Sequence, residues 1–60
     1  MKDMREQLER LQSQASECAL IASSATDHKK RELFERLAEY FRVLAAEVRR
    51  AIEEATDPKA

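Results

Sequence analysis

Few side chains in this sequence have the type and spacing to do chemistry: Cys18, its neighbour Glu17, His28, Tyr40, and the basic run His28-Lys29-Lys30-Arg31. Cys18 sits among Ala15, Ile21 and Ala22 at an apolar-stripe position. A buried free cysteine behaves as a small hydrophobe, whereas a reactive thiolate needs exposure and a nearby cation. The stripe position favours the first role. A single cysteine cannot close an internal disulfide, and a bridge between two chains is disfavoured in a reducing compartment. His28 is the one histidine, and Cys18, ten residues away, is not at zinc-site spacing from it. The Glu-x-x-His arrangement of di-iron bundles is absent. His28 is therefore expected in solvent. Glu17 lies off the stripe and is expected to pair with Arg31 or Arg36 across a turn. Tyr40 reads either as core-edge packing with its hydroxyl at the surface or as an interface anchor.

The basic run also has two readings. Cations at a helix N-terminus are mildly unfavourable, but in a hairpin they lie beside the C-terminal end of the preceding helix, where positive charge is favourable. The alternative is an anion or nucleic-acid contact through Lys29, Lys30 and Arg31, doubled by dimer symmetry and joined by Arg36 and Arg42. With a net charge of -1, the chain has no overall basic excess to draw it to nucleic acid or an anionic membrane. The structural reading is favoured. Without catalytic, nucleotide-loop or metal-binding motifs, the residues imply no enzyme and no cofactor.

The elements that hold these residues are helical. The sequence has no Gly and one Pro, and 38% of it is charged, which favours long helices over strands joined by tight turns. The strongest stretch is Leu33 to Ala55. There Phe34, Leu37, Phe41, Leu44, Val48, Ala51 and Ala55 recur in steps of three and four, the spacing of heptad a and d positions. Ala38, Ala45 and Ile52 follow at e positions, and Leu33 and Tyr40 widen the other flank. This stripe spans ~160° of the helical wheel, more than a two-stranded seam needs.

Upstream, Met4, Leu8, Leu11, Ala15, Cys18, Ala22 and Ala25 form a second stripe, bulky at first and small later. Phe34, Leu37 and Phe41 are expected to fill the space its small residues leave. Ile21 borders this stripe and is expected buried. Leu20 points away from it, as a scattered surface residue or a second contact. Pairs four apart line the surfaces, among them Lys2 with Glu6, Arg31 with Glu35, and Glu32 with Arg36.

The two stripes are out of phase. From Ala25 to Phe34 is nine residues, about 900° of helix, which would place them on opposite faces of one rod. A fold near Thr26-Asp27, both good N-cap types, lets both face one core. The spacing thus predicts an all-α, antiparallel two-helix hairpin forming a single domain over 1–60. The first helix covers about 3–24, the turn about 25–28, the second helix about 28–55, and 56–60 is a frayed tail after Pro58.

A core this small supplies no more than ~3–5 kcal/mol, so oligomerisation is expected. The predicted assembly is a homodimer forming a four-helix bundle, packed through Leu8, Leu11, Phe34, Leu37, Tyr40, Phe41, Leu44 and Val48. No apolar run is long enough to span a bilayer, and the charged N-terminus is unlike a signal sequence, so a cytoplasmic location without membrane contact is expected. The expected role is a structural or protein-interaction module that self-assembles or binds another protein through an exposed helix face. A small dimeric nucleic-acid-binding regulator is the alternative.

Residues Glu17 to Ala45 carry a pattern: Glu17-Cys18, Ala25-Thr26-Asp27, Arg31, Leu37-Ala38, Phe41 and Leu44-Ala45. On it the chain resembles a set of small helical-hairpin proteins of rhizobia and related α-proteobacteria. It departs from that set at His28, where they carry Pro, a residue suited to the first helical position. The resemblance implies a hairpin and brings no activity with it. In size and layout the chain is also similar to a plasmid copy-control type of RNA-binding protein that dimerises as two helical hairpins, though fold alone does not carry function.

Overall fold

The structure, a computed structural model, describes the backbone of residues 2–56 and the side chains of residues 3–55. Two helices account for almost all of it: α1, Lys2–Ser24, and α2, His28–Thr56. They are joined by residues 25–27 and pack side by side, giving a body of 49 × 17 × 11 Å. The expected stop at Asp57-Pro58 and the tail at Lys59 and Ala60 lie outside the described residues, as does the Lys2 partner of Glu6.

Neither helix has an interior Gly or Pro to break it, and Asp3 places a carboxylate in the first turn of α1, on the favourable side of the helix dipole. The turn is made without glycine, and no described residue takes a positive φ. Side chains cap the end of α1 instead. The Ser23 hydroxyl donates to the Leu20 carbonyl at 2.9 Å, and the Ser24 hydroxyl reaches the Leu20 and Ile21 carbonyls at 3.1 and 3.2 Å. The Ala25 amide donates to the Ala22 carbonyl at 3.3 Å, closing a final tight turn.

Asp27 starts α2. Its carbonyl accepts the first intrahelical bond from the Arg31 amide at 3.0 Å, and its carboxylate accepts the Lys29 amide at 3.4 Å. This is the N-cap arrangement, and it satisfies one of the orphan amides at the helix start.

The seam is built from small side chains. Leu11, Ala15, Cys18, Ala22 and Ala25 are buried from α1, and Ala38, Ala45 and Ile52 from α2. Six of these eight are Ala or Cys, so the two backbones can approach closely. Phe34, Leu37 and Phe41, expected to fill the space beside the small residues of α1, are covered only in part by a single hairpin. These three, with Leu44 and Val48, are half-buried, and the innermost line of α2 is the Ala38–Ala45–Ile52 set at every seventh position. Ile21, expected buried, is 38% exposed: it lies too far round α1 from Ala22 to reach the seam. No polar or charged side chain is buried among the described residues.

Candidate interaction surface

Rotating outward from the Ala38–Ala45–Ile52 line, the two flanks of α2 differ in kind. At ~100° per residue, one flank carries Phe41, Val48, Leu37, Leu44, Leu33 and Tyr40 in succession. The other carries Arg49, Arg42, Glu35 and Ala46. On the first flank, Phe34, Leu37, Phe41, Leu44 and Val48 of α2 stop at half-burial, Leu33 is exposed, and Tyr40 is 62% exposed; Leu8 of α1, one heptad before the groove residue Ala15, is half-buried as well. The Tyr40 and Phe41 rings meet edge to face, centroids 6.3 Å apart at 67°. Neighbours in sequence, they point to different depths, with Phe41 toward the seam and Tyr40 toward solvent. Of the residues expected to pack the core or an interface, Leu11 alone is buried by the single hairpin.

The second flank forms a groove between the helices. Its floor is Ala15 and Ala45, and Gln12, Ser16 and Leu20 of α1 face Arg42 and Arg49 of α2 across it. Arg42 Nη1 lies 3.4 Å from Glu39 Oε1 one turn away. Leu20, 68% exposed, stands at this rim well off the apolar flank. This groove was not anticipated from the sequence; its signal is the Gln12-x-x-Ala15-Ser16-x-x-Ala19 run of small and polar residues on one side of the stripe.

At the hairpin tip the basic run is partly committed to the fold. Arg31 Nη2 donates to the Ala25 carbonyl at 2.8 Å, holding the free C-terminal end of α1 against the first turn of α2. His28 Nε2 lies 3.1 Å from Glu32 Oε2 on an exposed helix face. Lys29 and Lys30 are left pointing to solvent. Glu17 is exposed and makes no ion pair with Arg31 or Arg36, since Arg31 is turned to the backbone instead. Cys18 is a free, buried thiol in the seam, without the exposure that reactivity requires. The described residues hold no cluster of three or more His, Cys, Asp or Glu side chains arranged to bind a metal. No described helix is long and apolar enough to cross a membrane.

Comparison of the chain with family models, curated proteins and solved structures found no match. The reading of its role rests on its own surfaces.

Proposed function

We propose that this chain is a cytoplasmic self-associating helical module, which pairs with a second copy through the apolar flank of α2 to form a four-helix bundle. The observation that carries this reading is the incomplete burial of the bulky residues. No large side chain described is fully enclosed, and five Leu, Phe and Val residues of α2 stop half-way. Surface area points the same way. The hairpin exposes 4826 Å² at a mass of 6.9 kDa. A compact monomer of that mass exposes about 4000 Å², an excess that fits an elongated hairpin with a half-covered apolar flank.

The module supplies shape and helix contact rather than chemistry, as expected of a small assembly or adaptor protein. A nucleic-acid-binding role at the tip draws less support, because Arg31 is held by the Ala25 carbonyl and His28 lies beside Glu32. That leaves Lys29 and Lys30 per hairpin, a small contribution for phosphate binding at physiological salt.

Thermal unfolding at several protein concentrations tests the self-association reading. Folding coupled to dimerisation raises Tm with concentration. We expect a clear upward drift across a hundred-fold range. A Tm independent of concentration, with the chain sedimenting as a monomer, would remove the reading.

A further inference from the structure

We propose that the second copy seats its α2 antiparallel to the first, about a two-fold axis passing between Tyr40 and Leu44. This rests on the self-association reading and adds the direction of the partner. Two properties of the apolar flank carry it.

The first is bulk. Along the outer edge the apolar side chains run Leu33, Leu37, Tyr40, Leu44 and Ala51, large toward the hairpin tip and small toward the open end. Antiparallel pairing about position 42 sets Leu33 against Ala51 of the partner subunit, and Tyr40 against Leu44 of the partner subunit. The two ends and the centre then have similar thickness, as close packing requires, and Leu37 comes level with Glu47 of the partner subunit at the border. Parallel pairing stacks Leu33 on Leu33 and Ala51 on Ala51, wide at one end and empty at the other.

The second is charge. The charged residues on the solvent border of this flank are Lys29 and Arg36 in the first half of α2, and Glu47 and Glu54 in the second half. All four are exposed, and none is in an ion pair of its own hairpin. Antiparallel pairing about nearly the same axis brings Lys29 beside Glu54 of the partner subunit, and Arg36 beside Glu47 of the partner subunit. Parallel pairing confronts like with like at every one of these positions. Rim charges of this kind choose register and orientation more than they add affinity. On the face of α1 that shares this side, Gln7 and Gln14 precede Ile21 at seven-residue intervals, so α2 is the better apolar partner for α2.

The experiment is a spin-label distance on the full chain carrying Cys18→Ala and Lys29→Cys, with the mass of the same sample measured by sedimentation. Lys29 is exposed, and Ala suits a seam already made of Ala. Antiparallel pairing separates the two labels by 26 residues of helix rise, ~40 Å, whereas parallel pairing brings them within ~20 Å. A dimer mass with the long distance is the expected result. A dimer mass with the short distance overturns the orientation and leaves self-association standing, while a monomer mass with no dipolar coupling overturns both. A charge swap gives a second measurement that does not depend on labelling. Arg36→Glu weakens association by about five-fold across its two symmetric pairs, and adding Glu47→Arg restores it. A double variant no tighter than the single one contradicts the antiparallel pairing.

Discussion

Ala38 is the most enclosed side chain in the seam, at 2% exposure, and with Ala45 it sets how near α1 and α2 lie. A larger group there would have to push two backbones apart. We expect Ala38→Leu to destabilise the fold by ~1–3 kcal/mol, the usual cost of overpacking, since Leu is nearly as good a helix former as Ala. Chemical denaturation by circular dichroism checks this, and an unchanged midpoint would show that the seam is looser than described. Asp27 works at the same scale through hydrogen bonds. Its carbonyl and carboxylate both hold the first turn of α2, with Oδ1 at a long 3.4 Å from the Lys29 amide. Asp27→Ala should cost ~0.5–1 kcal/mol, at the lower end for an N-cap because the bond is long. Denaturation at fixed protein concentration measures it.

At the scale of the helices, the decisive feature is that α2 has three kinds of face: an alanine line for α1, an apolar flank, and a charged flank with Arg42 and Arg49. Phe41 stands at the border of the first two. A charge there would disturb the seam and the flank together, so we expect Phe41→Asp to lose helical signal as well as association. A well-folded monomeric Phe41→Asp hairpin would show that the flank contributes nothing to holding α1 and α2.

The existence, type and hinge of both helices were legible in the sequence, because apolar spacing of three and four is a strong signal and the nine-residue offset from Ala25 to Phe34 forbids one straight rod. The identity of the seam was not. Hydrophobic pattern marks the whole stripe from Ile52 round to Tyr40 as apolar, and it does not say which edge lies innermost. That choice depends on how close the helices come, and the Ala15–Ala22 and Ala38–Ala45 spacings of seven were the clue. The Arg31 bond to the Ala25 carbonyl was legible only as a preference for positive charge near the end of α1. Its particular acceptor depends on the path of a three-residue turn. The groove beside Arg42 and Arg49 was illegible for a related reason: it joins residues of both helices that no single helical wheel places together.

For the molecule as a whole, one hairpin is a seam of alanines with bulky residues arrayed along one side. It exposes 4826 Å² and encloses no large side chain fully. Sedimentation equilibrium of the unmodified chain at micromolar concentration tests self-association most directly. We expect a folded particle of twice 6.9 kDa; a helical, cooperatively folded particle of 6.9 kDa across the concentration range would contradict self-association through the apolar flank.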